Sequence, residues 1–529
     1  MQHSSVFGRV VRFCTAILVG VLMLSSTPEQ PKAAVQAWTR TLEPVIVTGS
    51  QLPLFNNVVL GDLFVYAYNG STWSVVPFQF DEVNTGGSFV PNENGRLDAN
   101  DQLVFMAADL GVMATAYEWP DDVNSKSHSR YEVHVTNPLS PSEEGWAYVY
   151  YSTTLAPTFA PYVTWNSTST TTSAGTYIIG YTPSAHLGID SLQLNGYAGD
   201  VIDRSKLRLR VICIDSDGGT NISMITENSA DVIDTWTPPD ILGPVRVGGG
   251  TVDEYSWSYK SMFTDESTFT PADVDPEDCI DLTYEYFRVS EDWLNPVDSG
   301  MAPMSYFDSN RPAGVAIDGA YDSIPTTPFP TWRQVSGAKG SLVEVTGVGT
   351  GGGALSNYYL DLNQVDEKDT GDQVSFGDAG FLVLNPTESI LISTAHYVLD
   401  PSQPNVGGTY RDYFDNPLQA TAAAQDYLEP APNAATFDPK LTYLDLETAF
   451  TGRAYGLPPF TYDWEFGDDG SVASGNPVNH TFTVTGTIPV TLTVTNGYGT
   501  DVVVRPVFVF DPGTEPSIIY LPMIFRSAP

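Results

Sequence analysis

The chain has 529 residues and carries 63 acidic against 23 basic side chains, a net charge of −40. Such a charge repels phosphate backbones and anionic lipid surfaces, so we expect no nucleic acid partner. Hydrophobic residues make up 42% of the chain, which excludes a disordered protein. The 45 glycines and 39 prolines favour short strands over long helices. We therefore predict an all-β protein built from several β-sandwich domains.

Residues 1–37 have the pattern of a secretory signal peptide. Arg9 and Arg12 precede the apolar stretch Phe13–Leu24, which is too short to span a bilayer. We expect cleavage after Ala37, with Ala34 as a second choice and an uncleaved anchor as the alternative interpretation. A cleaved signal predicts that the protein is secreted or held at the cell surface. No second apolar run of membrane length follows, so we predict no membrane span after cleavage.

Two cysteines, Cys213 and Cys279, follow the signal peptide. A single pair so far apart does not have the spacing of a zinc site. The two residues form a disulfide in an oxidising compartment, or they are buried free thiols that behave as small hydrophobic residues. The sequence leaves both interpretations open.

Residues 38–160 alternate between short apolar segments and turn signals, and we interpret them as a β-sandwich-like domain. Strands are predicted over Glu43–Thr48, Leu63–Tyr68, Trp73–Gln79, Leu103–Ala108, Tyr131–Thr136 and Trp146–Tyr151. Part of this region resembles uncharacterised secreted bacterial β-proteins, a resemblance that implies no activity.

Residues 161–430 form a larger region, which we interpret as one large β-sandwich with long loops or as two smaller sandwiches. Strands are predicted over Lys206–Ile214, Ser341–Val348, Asn357–Leu362, Gly380–Leu384 and Ser389–Val398. The alanine-rich segment Leu418–Leu428 is the best helix candidate. The acidic segments Thr264–Asp281 and Pro296–Pro330 are predicted to be loops, and the glycine runs Gly248–Gly250 and Gly349–Gly353 flexible turns.

The most specific motif lies in residues 439–512, behind a Pro/Ala-rich linker at 431–438. Its three segments are Tyr462–Gly470 (YDWEFGDDG), His480–Phe482 (HTF) and Val490–Asn496 (VTLTVTN). Their order and spacing resemble those of the PKD (polycystic kidney disease) domain family. The resemblance implies an Ig-like β-sandwich with Trp464 in its core, and it brings no catalytic residues.

Residues 513–529 form a C-terminal tail that contains the apolar stretch Ile518–Phe525. This stretch resembles a short YLP-type C-terminal segment of exported Chloroflexi proteins, which implies sorting to the cell surface or retention there. A final β-strand or a sticky unpaired end is the alternative interpretation.

Oxygen-bearing side chains cluster before the strand at 103–108 and form the candidate metal site. They are Asn92, Asn94, Asp98, Asn100 and Asp101. Ca²⁺ binds irregular groups of carboxylate and amide oxygens, and most of these positions match ligand positions of an EF-hand loop. Val90 stands where the first ligand would be, so a turn satisfied by its own backbone is the other interpretation. Ca²⁺ is the only cofactor that the sequence suggests.

Histidines and tryptophans are the remaining candidates for chemistry. No two histidines have metal-ligand spacing, and the sequence contains neither a GxSxG nor a P-loop motif. His396 is either an acid or base or a structural residue. No catalytic residue is predicted. Four tryptophans near predicted loops are candidates for stacking on sugar rings: Trp236, Trp257, Trp293 and Trp332.

These features together predict a secreted or cell-surface, non-catalytic protein that binds carbohydrate or protein. Its partner would be an extracellular polysaccharide or a surface protein. The alternative is a polysaccharide-active enzyme with a lyase-like large β-sandwich and an accessory PKD module. A concave groove lined by Arg, His and Tyr would favour the enzyme, whereas a flat aromatic strip would favour binding.

Overall fold

The structure of the protein, a computed structural model, describes residues 38–182, 189–194, 196–229, 237–270 and 279–513. The predicted signal peptide, Trp236 and all but the first residue of the predicted tail lie outside these ranges. Strands far outnumber helices in the described chain, so the predicted all-β class is confirmed.

The described residues contain 35 strands and two α-helices, and neither helix is long and apolar enough to cross a membrane. The first elements are β1 (Pro44–Thr48), β2 (Leu63–Tyr68), β3 (Trp73–Val75), β4 (Phe78–Val83), β5 (Phe89–Val90), β6 (Gln102–Met106), α1 (Val123–Lys126), β7 (Arg130–Asn137) and β8 (Ser140–Tyr151). Four 3-10 turns lie among them, at Gly49–Gln51, Pro53–Phe55, Leu60–Asp62 and Ala107–Asp109.

The middle of the chain continues with β9 (Val163–Asn166), β10 (Thr171–Ala174), β11 (Tyr177–Tyr181), β12 (Ile189–Leu194), β13 (Ile202–Asp215), β14 (Thr220–Thr226), β15 (Ile241–Leu242), β16 (Val247–Gly250), β17 (Tyr255–Ser258), β18 (Met262–Phe269) and β19 (Cys279–Trp293). Next come β20 (Ser305–Asp308), β21 (Arg311–Ala316), β22 (Trp332–Gly337), β23 (Gly340–Val348), β24 (Ala354–Leu362), β25 (Ser375–Leu384), β26 (Ile390–Leu399), α2 (Gly407–Asp415) and β27 (Gln419–Gln425). The last strands are β28 (Asn433–Asp438), β29 (Leu441–Tyr443), β30 (Glu447–Tyr455), β31 (Thr461–Phe466), β32 (Val472–Ser474), β33 (Val478–Thr481), β34 (Gly486–Asn496) and β35 (Gly499–Phe510).

The first sandwich packs a four-stranded sheet, ordered β1-β6-β4-β5, against a five-stranded sheet, ordered β27-β7-β8-β2-β3. Apolar residues alternate along its strands as the sequence predicts. Val133 and Val135 of β7, for example, are fully buried and point into the shared core. Strand β2 has the predicted bounds, Leu63–Tyr68.

Strand β27 replaces the helix predicted over residues 418–428, and that prediction is wrong. The strand pairs antiparallel with β7 along its whole length. The pairing places Ala420 and Ala422 against the core of the first sandwich, where small side chains fit. Tertiary pairing therefore overrides the high helix propensity of alanine. It also means that a strand from the predicted 161–430 region belongs to a sheet of the predicted 38–160 region.

The larger region is built around a nine-stranded sheet, ordered β15-β16-β17-β18-β26-β23-β22-β20-β21. A five-stranded sheet, ordered β14-β13-β19-β25-β24, packs on it, and apolar side chains of both sheets share their cores. A four-stranded sheet, ordered β12-β11-β10-β9, lies beside them. Along β13 the buried residues Leu207, Leu209 and Val211 form the apolar face that alternation predicts.

Three segments predicted to be irregular contain strands. β18 begins before Thr264 and runs to Phe269, and β20 and β21 lie within the predicted loop at 296–330. Tyr306 and Ile317 of that segment are buried, although its Pro, Gly and Asp content indicates a surface loop. The run Gly248–Gly250 lies in β16 and is not a flexible turn. Composition fails here because a strand needs only every second residue to be apolar.

Cys213 on β13 and Cys279 on β19 form a disulfide. The two strands are antiparallel neighbours, and Cys213 lies opposite Leu282, close to the start of β19. Of the two interpretations that the sequence leaves open, the structure supports the disulfide, which joins one end of this strand pair.

Buried polar contacts connect the first sandwich to the larger region. The guanidinium group of Arg246, a residue that is 1% exposed, donates from Nε to Asp81 Oδ2 at 2.7 Å. It also lies 3.8 Å from the centroid of the Trp257 ring. Gln79 Oε1 accepts hydrogen bonds from the backbone N–H groups of Val245 and Arg246, at 3.1 and 3.0 Å. Strand β4 and the chain before β16 are thus held together without contact to solvent.

The C-terminal module is a sandwich of two sheets, ordered β28-β30-β33 and β29-β35-β34-β31-β32. Trp464 is 2% exposed and lies in the core with Phe450 and Phe466, in agreement with the expected core position. Phe437 of β28 is buried in the same core. The segment predicted as a linker, 431–438, therefore contains the first strand of the module instead of a spacer.

Candidate functional site

A cavity of about 530 Å³ lies between the two large sheets. Strands β18, β26, β23 and β22 form one wall, and β13, β19 and β25 contribute to the facing wall. The β16–β17 hairpin lines one side. Glycine is required at position 248 of this hairpin, because a Cβ there would lie 1.9 Å from the carbonyl oxygen of Ser256.

Four side chains form a row across the first wall. Phe263 of β18 lies opposite His396 of β26. His396 in turn lies opposite Glu344 of β23, and Glu344 lies opposite Arg333 of β22. Residues directly opposite on neighbouring strands project from the same face of a sheet. Strand pairing therefore gathers an aromatic ring, an imidazole, a carboxylate and a guanidinium group into one line.

His396 is the centre of this row and is 7% exposed. Its ring stacks on Phe263 with the centroids 4.3 Å apart, and its Nε2 lies 2.9 Å from Oε1 of Glu291, which reaches it from the facing sheet. Burial lowers the pKa of His396, but the carboxylates of Glu291 and Glu344 outweigh burial and raise that pKa above its ordinary value of 6.5. The site therefore favours the protonated imidazole.

Arg333 and Glu344 form a buried two-point ion pair, in which Nε donates to Oε2 at 3.0 Å and Nη2 donates to Oε1. Burial raises the pKa of Glu344, but the charge and hydrogen bonds of Arg333 prevail and hold it well below its ordinary value. Arg333 Nη1, His396 Nδ1 and Ser290 Oγ are buried and have no hydrogen-bond partner among the described residues. Buried polar atoms are nearly always paired, so the unpaired nitrogens of Arg333 and His396, which line the cavity, suit water or a polar ligand. Ser290 precedes Glu291 on β19, so its hydroxyl group projects from the opposite face of that strand.

The cavity is acidic. Its lining includes six carboxylates against one arginine and one histidine: Asp240, Glu254, Asp265, Glu266, Glu291 and Glu344 against Arg333 and His396. Burial raises the pKa of Asp265, although a 2.9 Å hydrogen bond from Ser267 Oγ and the charge of His396 oppose the shift. A lining of this sign favours neutral or cationic ligands over anionic ones.

Glu291, Glu344 and His396 are also an arrangement that a divalent cation can use. One ligand atom from each lies within 4.8 Å of the others. Glu344, however, is already bound by Arg333, and a cation would compete with the guanidinium group for its oxygens. A polar organic ligand can form hydrogen bonds with these groups without breaking the Arg333–Glu344 ion pair.

The residues of the predicted Ca²⁺ site lie in the segment between β5 and β6: Asn92, Asn94, Asp98, Asn100 and Asp101. Asn94 Nδ2 donates to Asp98 Oδ2 at 2.6 Å, and Asp101 accepts from the backbone N–H groups of Asp98 and Val83 at 2.6 and 2.9 Å. Asn100 donates to the carbonyl oxygen of Val83, and Asn92 is exposed. The structure thus brings Asn94, Asp98 and Asp101 together in a hydrogen-bonded turn, and Ca²⁺ binding there stays a prediction.

Three of the tryptophans expected to stack on sugar rings belong to hydrophobic cores. Trp257 and Trp293 are each 2% exposed, and Trp332 is 8% exposed. The prediction is wrong for these three residues, because closeness to a loop in sequence does not place an aromatic ring at the surface. Trp236 lies outside the described residues.

The sequence indicates His396 as a candidate but gives no prediction for its neighbours Glu291, Glu344 and Arg333. Arg333 and Glu344 share one signal, a charged residue within a strand whose other residues are mostly buried. Glu344, for example, lies within the run Ser341–Val345, in which all four remaining residues are buried. A charge in such a position must be paired or must serve a ligand. Such a signal can indicate candidate site residues in a sequence. Whether these residues lie close together depends on the register of the strands.

Comparison with known protein families concerns the C-terminal part of the chain. The family model of the PKD domain matches residues 429–507, which confirms the resemblance read from the motif. This domain is an Ig-like β-sandwich, the architecture found here. No curated protein matches the chain. All residues that line the cavity precede the matched segment.

Proposed function

We propose that the protein is a secreted or cell-surface carbohydrate-binding protein, in which the cavity around His396 holds a neutral or cationic sugar unit of an extracellular polysaccharide. One observation carries the proposal. Arg333 and His396 line the same cavity, and Arg333 Nη1 and His396 Nδ1 are buried without hydrogen-bond partners among the described residues. A sugar hydroxyl is both donor and acceptor, so it suits these groups and the carboxylates beside them.

The size and lining of the cavity support a small polar ligand with an apolar face. A volume of about 530 Å³ falls within the usual range of small-molecule sites. Phe263, Phe381 and Tyr255 line the cavity and offer rings against which the C–H face of a sugar can pack. The excess of carboxylates disfavours uronic acids and favours neutral or amino sugars. The predicted signal peptide and the PKD domain agree with a role outside the cell.

A polysaccharide-active enzyme is the second candidate, and one specific observation favours it. The cavity is lined by Arg333, His396, Tyr181 and Tyr255, the groove composition expected of an enzyme. The raised pKa of Asp265 suits a general acid, and the Glu291–His396 pair suits an acid or base. Binding remains the better supported function, because Arg333 and Glu344 already neutralise each other.

The experiment measures binding and turnover on the same protein. A glycan array and titration calorimetry are run on residues 38–529, on Glu291→Gln and on the matched control Glu144→Gln. Glu144 pairs with His134 at 2.9 Å, the distance of the Glu291–His396 pair, but on the exposed face of the first sandwich. We expect Glu291→Gln to weaken binding by at least about tenfold, or ~1.4 kcal/mol, and Glu144→Gln to leave it unchanged.

Turnover distinguishes the two functions. New reducing ends and unsaturated-sugar absorbance are followed with a polysaccharide panel. Turnover that disappears in Glu291→Gln and persists in Glu144→Gln would establish the enzyme. The binding proposal is overturned if no glycan binds, or if both variants bind as the wild type does.

A further inference from the structure

A second buried cluster lies at the centre of the five-stranded sheet of the larger region. Lys206 is on β13, Asp292 on its neighbour β19, and Asp378 on the next strand, β25. Lys206 and Asp292 are 0% exposed and Asp378 is 1% exposed. Lysine and aspartate are almost never fully buried without a partner, so the cluster needs a specific explanation.

Lys206 and Asp292 are in direct contact. Nζ lies 2.5 Å from Oδ2, while the other carboxylate oxygen, Oδ1, accepts the backbone N–H of Phe376 at 3.0 Å. The two oxygens of Asp292 are therefore in different environments. One faces the amine, and the other is held by a hydrogen-bond donor that would stabilise negative charge on it.

Asp378 is the third charged residue of the cluster. Arg288 Nη2 is 3.9 Å from its Oδ2, and burial, the charge of Asp378 and a side-chain hydrogen bond to Asp378 raise the pKa of Tyr358. Burial raises the pKa of Asp292 well above its ordinary value, and the charge of Asp378 raises it further against the opposing effect of Lys206. Burial lowers the pKa of Lys206, but Asp292 and Asp378 outweigh burial and raise it. Burial thus favours a protonated Asp292 next to the Lys206 amine, and the charge of Asp378 acts on both groups.

We propose that Lys206 and Asp292 condense to an intramolecular isopeptide bond, with Asp378 as the group that relays the proton. The ion pair contains the atoms of one amide and one water, and the step needs no oxidant or other reagent. It replaces two buried charges by a neutral amide, which removes the desolvation penalty of a buried ion pair.

The Lys206 ammonium transfers one proton to Asp292 Oδ2 along their contact, which leaves a neutral amine and a carboxylic acid. Nζ attacks Cγ, and the new C–N bond places negative charge on Oδ1, opposite the N–H of Phe376. Asp378 takes one proton from Nζ and delivers it to Oδ2. The Cγ–Oδ2 bond then breaks and one water leaves, while Asp378 returns to its initial state.

The neighbouring groups keep their hydrogen bonds in the product. Lys206 Nζ also donates to Asp369 Oδ2 at 2.7 Å, and the single N–H of the amide can continue to do so. Asp369 is held in addition by Arg208, so the loss of the ammonium charge does not leave it without a cation. Phe376 donates to what becomes the amide oxygen. The bond therefore forms without rearrangement of the strands.

The consequence is mechanical. The disulfide of Cys213 and Cys279 joins β13 and β19 at one end, and the Lys206–Asp292 bond joins the same two strands towards the other end. A pulling force on either strand would then meet a covalent loop instead of a ladder of hydrogen bonds. Such a clamp suits a protein that holds a polysaccharide outside the cell, although the inference does not depend on that function.

The test is the intact mass of the reduced, denatured chain from Trp38 onward, after overnight incubation of the folded protein. We expect a mass lower by one water, and a branched tryptic species that joins the peptides of Lys206 and Asp292. Lys206→Arg keeps the charge but cannot form the amide, and it should have its full mass. Asp378→Asn should also keep its full mass, because the proton relay is lost.

Asp369→Asn is the matched control, since Asp369 also contacts Lys206 but is not the acceptor. It should still lose one water. A wild-type protein of full mass overturns the proposal, as does a branch that maps to Asp369. The wild-type measurement decides the question even where a variant fails to fold.

Discussion

Trp464 donates its indole N–H to the carbonyl oxygen of Gly475 at 2.9 Å and thereby fastens the turn after β32 to the middle of β31. The same ring packs against Phe437, with centroids 5.5 Å apart, and against Phe450 at 6.0 Å. One side chain thus connects both sheets of the C-terminal module and satisfies its only polar atom in the process.

Replacement of Trp464 by alanine should destabilise the C-terminal module by about 3–5 kcal/mol, as expected for a large buried aromatic residue. Hydrogen exchange of the full chain should show loss of protection in β31 and β34, with the strands before residue 428 unchanged. Val472→Ala is the control, because Val472 is 78% exposed on the neighbouring strand β32. Equal protection in the two variants would contradict the assigned core.

Replacement of Asp81 by alanine should destabilise the first sandwich and the larger region together. Arg246 would remain buried without its carboxylate partner, which typically costs about 3–5 kcal/mol. Urea denaturation, followed by intrinsic fluorescence, measures the free energy of unfolding. The control is Asp415→Ala, which breaks the exposed Arg411–Asp415 pair and should cost at most about 1 kcal/mol. Similar losses in both variants would mean that burial of Arg246 is incomplete in solution.

His396 should make stability depend on pH. Its pKa in the folded protein is above 6.5, because the raising effects of Glu291 and Glu344 exceed the lowering effects of burial and Arg333. A group with a raised folded pKa stabilises the protein below its unfolded pKa, and this contribution disappears as the pH rises through the folded value. The free energy of unfolding should therefore fall as the pH increases from 6.5 upward.

The His396→Gln variant isolates this contribution. The difference in unfolding free energy between wild type and variant, measured by urea denaturation over a pH series, should shrink as the pH rises. His134→Gln is the control, since His134 has a comparable carboxylate partner but is only partly buried. A difference for His396→Gln that stays constant with pH would show that the imidazole does not carry the expected charge.

Ca²⁺ at about 1 mM should raise the melting temperature more than Mg²⁺ at equal ionic strength if the segment between β5 and β6 binds the ion, because Ca²⁺ accepts irregular oxygen cages. Differential scanning calorimetry on residues 38–529 measures the shift. Asp98→Asn should abolish the difference between the two ions, whereas Asp217→Asn should preserve it, because Asp217 is an exposed residue in the turn between β13 and β14. Equal shifts with both ions would mean that cations only screen the negative charge.

Much of the strand content is predictable from the sequence, because alternation depends only on which residues face a core. Strand β2 has its predicted bounds, and β7 extends one residue beyond its predicted bounds at each end. Strand β13 begins four residues before its predicted start and ends one residue after its predicted end. The wrong predictions arise where the local propensity of a segment is overridden by contacts with a segment that is distant in sequence. The alanines of β27 favour a helix until β7 supplies a strand to pair with. The strands β20 and β21 lie in a segment that is rich in Pro, Gly and Asp, and this composition predicts a loop although the segment contains strands.

The candidate site is less accessible to sequence reasoning. Arg333, Glu344 and His396 come from three strands, and their row exists only because the registers of β22, β23 and β26 coincide. Register depends on the packing of both sheet faces, which no single strand encodes. Glu291 comes from the facing sheet, so its meeting with His396 also requires the spacing between sheets. The motif at Tyr462–Gly470, in contrast, is contiguous and can be recognised without the fold.

The pairing of β27 with β7 has a consequence for the order in which the molecule is completed. The side chains of Arg130 and Gln425, which meet at the end of this ladder, are 295 residues apart in the chain. During synthesis the edge of β7 is produced long before its partner, and an unpaired edge is a template for wrong association. The first sandwich is therefore a discontinuous domain into which the larger region is inserted. Its sheet is complete only after β27, the strand that precedes the C-terminal module, has been synthesised and has paired with β7.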